Sequence, residues 1–211
     1  MEPLSLSLEG VSHRYPGCDH DTPGAVSFAL APSERALLVG PNGTGKTTLL
    51  LRVVGLLDGP GIVRVSGEPM SGGRIRRLRR GIGFGWQNPD DALLLPTVVE
   101  DVALGPINDG CGDERARARA LAWLDRLGVS HLAGRAVRGL SLGERQLVAV
   151  AGVLAREPGL LLLDEPASAL DDGHREGLAR VLAELPATIV MTSHDPSRWE
   201  SSGFGRRISL P

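Results

Sequence analysis

Gly40-Pro41-Asn42-Gly43-Thr44-Gly45-Lys46-Thr47 decides how this chain is read. An apolar run, Ala36-Leu37-Leu38-Val39, precedes it, and Thr48-Leu49-Leu50-Leu51-Arg52-Val53-Val54 follows with a helical pattern. Strand, glycine-rich turn and helix are the context in which G-x-x-x-x-G-K-[ST] makes a phosphate site. Glycine lets successive backbone N–H groups point inward, building an anion-binding nest at a helix N-terminus. Gly40, Pro41, Asn42, Gly43, Thr44 and Gly45 form that nest, with Thr48 on the first helical turn. Lys46 reaches the outer phosphates, and the Thr47 hydroxyl is a ligand for Mg²⁺. Among 23 basic residues Lys46 is the sole lysine. A chain that writes arginine elsewhere keeps a compact, flexible ammonium here, and the two cations are not interchangeable. The chain is expected to bind a nucleotide.

The rest of the composition narrows the class. A length of 211 residues fits one domain, with or without an inserted lobe, and 42% hydrophobic content supports a packed core. A net charge of −2 and 3% aromatic residues argue against a nucleic-acid partner, which calls for a basic face or stacking platforms. Met1-Glu2-Pro3-Leu4-Ser5 lacks the charged and apolar regions of a secretory signal, and no apolar run approaches the ~20 residues of a spanning helix. Cys18 and Cys111 lie in loop-like sequence and read as reduced thiols. A soluble, cytoplasmic protein is the expectation.

Working outward from the loop, Leu4–Val11 and Ala25–Leu30 alternate apolar and polar residues as half-buried strands do. Ile62–Val65 is a third short strand, so an antiparallel sheet should flank the nucleotide site. Arg74, Arg76, Arg77, Arg79 and Arg80 read as a solvated helix face before the strand Gly81–Trp86. From Thr97 to Ala155 the chain turns helical, over Val98–Leu104, Glu114–Leu127 and Glu144–Ala155, with breaks at Gly105-Pro106 and Gly128. Leu160–Leu163 and Thr188–Thr192 are apolar runs of the kind buried on both faces of a parallel sheet, and Gly177–Leu185 reads as the helix between them. The division expected is a single domain over 1–211, with a nucleotide-binding core and β subdomain over 1–96 and 156–211 and a helical subdomain over 97–155.

Asp164 and Glu165 end the Leu160–Leu163 strand. In phosphoryl transfer the first carboxylate of such a pair holds Mg²⁺ together with the loop hydroxyl, and the second polarises the attacking water. Leu140-Ser141-Leu142-Gly143-Glu144-Arg145-Gln146 opens a helix with Ser141 placed as its cap. Cys18-Asp19-His20-Asp21 contains metal-ligand types but reads as a polar loop.

With these residues in order, the chain resembles the nucleotide-binding subunits of ABC transporters over nearly its whole length. Gly40–Thr47 matches their Walker A loop, Gln87 the Q-loop glutamine and Leu140–Glu144 the signature usually written L-S-G-G-Q. Leu160–Glu165 matches Walker B, Ser168-Ala169-Leu170-Asp171 the D-loop, His194 the switch histidine, and Tyr15 the aromatic that stacks on adenine. The resemblance implies a P-loop NTPase (RecA-like) α/β fold: a parallel-sheet core with an antiparallel β subdomain and an inserted α-helical subdomain.

It further implies a head-to-tail dimer around two ATP molecules. Walker A, Walker B, Gln87 and His194 of one subunit would face Ser141 and Gly143 of a second, which is either identical or different. Catalysis would fall to Glu165, His194 and Gln87, and Mg²⁺ to Thr47, Gln87 and Asp164. Leu142 replaces the first signature glycine, Leu147 a frequent arginine, and Ala169 the D-loop glycine.

Gln87-Asn88-Pro89-Asp90-Asp91, Pro96–Pro106 and Val148–Ala155 are similar to energy-coupling-factor and cobalt/nickel-type importer ATPases. Those imply a transmembrane coupling subunit, a place at the inner face of the membrane, and import of a metal ion or vitamin. Another importer or exporter, or a soluble ATPase of repair or translation, is the alternative.

Overall fold

A computed structural model describes residues 2–210. Nine strands and six α-helices are found among them: β1 (Leu6–Val11), β2 (Val26–Leu30), β3 (Arg35–Val39), α1 (Lys46–Val53), β4 (Ile62–Val65), β5 (Glu68–Pro69), α2 (Ile75–Arg79), β6 (Ile82–Gly85), α3 (Val98–Asn108), α4 (Asp113–Arg126), α5 (Leu142–Ala155), β7 (Leu160–Leu163), α6 (Asp172–Glu184), β8 (Thr188–Thr192) and β9 (Arg206–Ser209). Two compact units result. One runs up to Phe84 and takes in Pro158–Asp164 and the chain from Pro186 onward; the other comprises Gly85–Glu157 and Glu165–Leu185.

The first unit holds both sheets. An antiparallel sheet runs β2-β1-β4-β5, with Leu6 opposite Leu30 on one side and Val65 on the other. The second sheet runs β6-β7-β8-β3-β9, with β7, β8, β3 and β9 paired in parallel. Leu160–Leu163 and Thr188–Thr192 are fully buried, as the continuous apolar runs require. Leu49, Leu50 and Val53 of α1 pack into one core with Leu6, Leu8 and Val65 of the antiparallel sheet and Leu38, Leu160, Leu162 and Val190 of the parallel one. The helix that follows the glycine loop is thereby fixed by apolar burial, each such side chain contributing about 1.5–3 kcal/mol. The carbonyls just past its end are held by Arg79, whose Nε donates to Val54 O at 2.8 Å and whose Nη2 donates to Gly55 O. Arg77 pairs with Glu68. Two members of the arginine run are therefore occupied within the fold.

The edge strand β9 was not expected. Its residues are exposed or half-buried, and it is held by backbone pairing to β3 and by ion pairs of Arg206 with Glu34 and Arg207 with Glu200.

In the second unit α3 does not stop at Gly105-Pro106 as the sequence suggests but continues to Asn108. The proline forfeits one helical hydrogen bond near the C-terminus, where the loss is small. The Arg156 side chain crosses Gly105, where a Cβ would lie 2.7 Å from its Cγ, and grips Asp109 in a bidentate pair at 2.7 and 3.1 Å. Tertiary contacts thus outweigh the local breakers. Likewise α6 starts at Asp172 rather than Gly177, because the Asp171 carboxylate accepts the His174 N–H at 2.9 Å and caps the helix.

Candidate functional site

The glycine loop has the geometry its composition asks for. Gly43 and Gly45 carry φ of 84° and 90°, in the left-handed region, and Gly45 is the residue from which α1 springs. A Cβ on Gly45 would lie 2.4 Å from Pro23 N, so the position excludes any side chain twice over. The first-turn N–H groups of α1 are not taken by any side-chain cap, and no acidic residue stands in that turn. They leave a donor cluster with positive potential, suited to an anion. Lys46 folds along the loop, its Nζ donating to Gly40 O at 2.8 Å and Pro41 O at 3.0 Å.

Asp164 is the second anchor. It directly follows β7, is 3% exposed, and both carboxylate oxygens are engaged. Thr47 Oγ1 donates to Oδ2 at 2.6 Å and Thr192 Oγ1, at the end of β8, donates to Oδ1 at 2.7 Å. Strand order explains this convergence: β8 lies between β7 and β3, so the three strand ends and the start of α1 meet at one edge. A hydroxyl and a carboxylate are hard oxygen donors, a set that suits Mg²⁺. Among the described residues no group of three or more His, Cys, Asp or Glu could hold a metal.

Tyr15 stands beside this loop, 38% exposed, with its hydroxyl 3.0 Å from Thr48 Oγ1 and its ring edge-on to His13 at 4.5 Å between centroids. His194 is exposed two residues beyond Thr192. Tyr15, Gly40–Thr48, Asp164 and His194 all belong to the first unit.

Gln87, Ser141, Gly143 and Glu165 belong to the second. Glu165 is 6% exposed and has φ of 47°, a left-handed conformation costing about 1 kcal/mol or more for a non-glycine residue. Ser33, Ser66 and Glu157 share this backbone conformation, and Glu165 is the one of the four that is buried. Ser141 caps α5 through a reciprocal box: its Oγ accepts the Glu144 N–H at 3.3 Å and its own N–H donates to Glu144 Oε2 at 2.7 Å. These bonds, with the Ser141 N–H first, hold the Glu144 carboxyl below the usual range. Leu142 projects into solvent at the first position of α5, 50% exposed. Gly143 is tight against the loop that follows Glu165, where a Cβ would meet Ala169 O at 2.9 Å. Gln87 is exposed after β6.

Sequence reading missed three anchors. Thr192 gave a signal, as a polar residue ending a buried strand. Arg145, whose Nε lies 2.9 Å from Asp90 and whose Nη1 donates to Leu140 O at 2.8 Å, and Arg52, buried among carbonyls, gave none.

Comparison with known proteins agrees with this geometry. The family model described as "ABC transporter" matches residues 24–168. The chain is 38% identical over 198 residues to the energy-coupling factor transporter ATP-binding protein EcfA of Methanothermobacter thermautotrophicus, covering 90% of this chain and 63% of that one. It is 43% identical over 198 residues to a protein of Gloeobacter violaceus assigned by inference as an ABC transporter ATP-binding protein, covering 92% and 80%. CbiO1 of Clostridium perfringens, part of the ABC transporter complex CbiONQ, superposes with a TM-score of 0.83 at 29% identity, covering 97% of this chain and 84% of that one. The dimeric ABC transporter cassette MJ0796 gives 0.89 at 28% identity, covering 97% and 94%. A loop shaped for phosphates, a carboxylate clasped by its threonine and relatives that share both sheets and helices lead to one assignment: the chain belongs to the ATP-binding subunits of ABC transporters, a family of ATP-hydrolysing enzymes.

Proposed function

We propose that this chain is the ATP-hydrolysing subunit of an importer of the energy-coupling-factor type, carrying a metal ion or a vitamin through a separate membrane protein. The observation that carries the catalytic part is the clasp on Asp164 by Thr47 and Thr192. It ties the phosphate loop to the strand end from which Glu165 follows directly.

In this reading the loop N–H groups and Lys46 bind the phosphates, and Tyr15 stacks on the adenine. Thr47, Gln87 and Asp164 hold Mg²⁺, which supplies charge neutralisation on the phosphate oxygens when bound. Glu165 takes a proton from water as its oxygen bonds to the γ-phosphorus, and the bond to the β–γ bridging oxygen breaks to release ADP and phosphate. His194 keeps the attacking water and γ-phosphate in line. Ser141 and Gly143 of a second subunit bring the N-terminus of α5 to the γ-phosphate, adding donors and a positive dipole end.

Support for the transport side comes from the likeness to EcfA and to CbiO1, and from the segment after Gln87. There Leu94 is 72% exposed next to the acidic Asp90 and Asp91, a surface suited to a helix from a membrane partner. Among the described residues no helix is long and apolar enough to cross a membrane, and in this reading the transport path lies in another chain. The site of action is then the inner face of the membrane.

Glu165→Gln tests the hydrolytic reading. Turnover should fall roughly 10²–10⁴-fold while ATP binding survives, and the variant should accumulate as an ATP-bound dimer on size exclusion. Undiminished turnover would remove Glu165 from the base role.

A further inference from the structure

Arg52 lies in α1, six residues beyond Lys46, and is 7% exposed. Among the described residues its guanidinium forms no ion pair with a carboxylate. Nε donates to Ser12 O at 3.1 Å, Nη1 to Leu57 O at 2.8 Å, and Nη2 to Gly59 O at 2.7 Å and Pro60 O at 2.9 Å. Burial pushes its pKa down, opposed by the Asp58 carboxylate nearby, yet an arginine does not give up its proton in a protein. A buried cation therefore spends its donors on main-chain carbonyls, in charge-assisted bonds stronger than neutral ones.

The carbonyls come from two segments. Ser12 begins the stretch that carries Tyr15, and Leu57–Pro60 links α1 to β4. The two are pressed together: Ser12 N donates to Pro60 O at 3.2 Å, and a Cβ on Gly59 would lie 2.6 Å from Ser12 O. The contact then passes to the tyrosine. His13 Nδ1 donates to Asp58 O at 2.7 Å while its ring meets Tyr15 at an interplanar angle of 84°. Tyr15 closes the circuit onto α1 through Thr48.

We infer that Arg52 is a positioning residue for the nucleotide base: it fixes the distance between Tyr15 and the phosphate loop, so that one ATP engages both. This rests on the reading of Tyr15 as the base platform. An aromatic face contributes to affinity only where the ring stands within reach of a base whose phosphates are already held. A clamp springing from the same helix as the phosphate site supplies that registration.

The test measures binding of MgATP and of tripolyphosphate, which has no base, to the wild type, Tyr15→Ala, Arg52→Met, Gly59→Ala and the Tyr15→Ala/Arg52→Met double variant. Gly59→Ala opens the same contact from its other side and decides the matter should Arg52→Met not fold. Tyr15→Ala, Arg52→Met and Gly59→Ala should each weaken MgATP about tenfold, with tripolyphosphate affinity retained. The double variant should be no weaker than its worse parent. Equal losses for tripolyphosphate, or additive losses in the double variant, would overturn the inference while leaving Tyr15 in its role. So would unchanged MgATP affinity in Arg52→Met and Gly59→Ala. Unchanged MgATP affinity in Tyr15→Ala would instead overturn the base platform, and the inference with it.

Discussion

Replacing Gly143 by alanine sets two effects of known size against each other. In a helix, glycine to alanine ordinarily stabilises by up to about 1 kcal/mol, because alanine loses less backbone entropy on folding. At Gly143 the new Cβ would sit 2.9 Å from Ala169 O, a backbone atom with no flexible end to move aside. Overpacking of that kind costs about 1–3 kcal/mol. The clash wins, for a net destabilisation of about 1 kcal/mol. Gly152 in the same helix supplies the control, since a Cβ there would find only Val102 Cα at 3.9 Å, an ordinary contact. Gly152→Ala should gain the propensity term undiminished. At this chain length 1 kcal/mol moves the melting midpoint about 2–4 °C. Scanning calorimetry should therefore place Gly143→Ala about 3 °C below the wild type and Gly152→Ala about 3 °C above it. If Gly143→Ala rises with Gly152→Ala, the close approach of α5 to the Ala169 loop is refuted. Gly143 would then have no packing reason to be glycine.

Lys46→Ala should lose most ATP affinity in equilibrium binding, and unchanged binding would sink the phosphate-site assignment. Thr192→Val, isosteric, removes a buried donor to Asp164 and should cost about 1.5–3 kcal/mol in urea unfolding; a loss within the noise would show that Thr47 alone holds the carboxylate. Asp101 is buried and accepts the N–H groups of Leu94 and Leu95, both at 2.6 Å. Burial pushes its carboxyl up against the pull of those two bonds. Its folded pKa thus exceeds the unfolded value of about 3.9, so its contribution is complete below that pH and is lost as pH rises through the folded value. Asp101→Asn should flatten this fall, and parallel stability–pH curves for the two proteins between about pH 4 and 7 would contradict the assignment.

The shape of the glycine loop was legible because its cause is local: glycine spacing and a following helix fix it within eight residues. Ser141 was legible for the same reason, the capping box being a relation between neighbours. Leu160–Leu163 and Thr188–Thr192 announced themselves as buried strands by having no polar face. The failures were non-local. Arg206-Arg207-Ile208-Ser209 carries no strand signal of its own and is drawn into the sheet by the free edge of β3. The helix through Pro106 depends on Arg156 and Asp109, 47 residues apart in the chain. Arg52 looks like any helical arginine until the loop over Leu57–Pro60 closes on it. Residues whose partners lie within a helical turn can be read from sequence, whereas those whose partners arrive by topology cannot.

In the function proposed above each ATP is hydrolysed between the phosphate loop of one subunit and the α5 terminus of another, so two inactive variants should complement each other when mixed. Lys46→Ala disables the loop, and Ser141→Arg blocks the α5 terminus. A mixed dimer of the two contains one site in which both halves are intact. Each variant alone should be inactive, and an equimolar mixture should recover about a quarter of wild-type turnover, since half the dimers are mixed and each has one working site of two. A mixture as inactive as its components would contradict the shared site, as would full activity of Ser141→Arg alone.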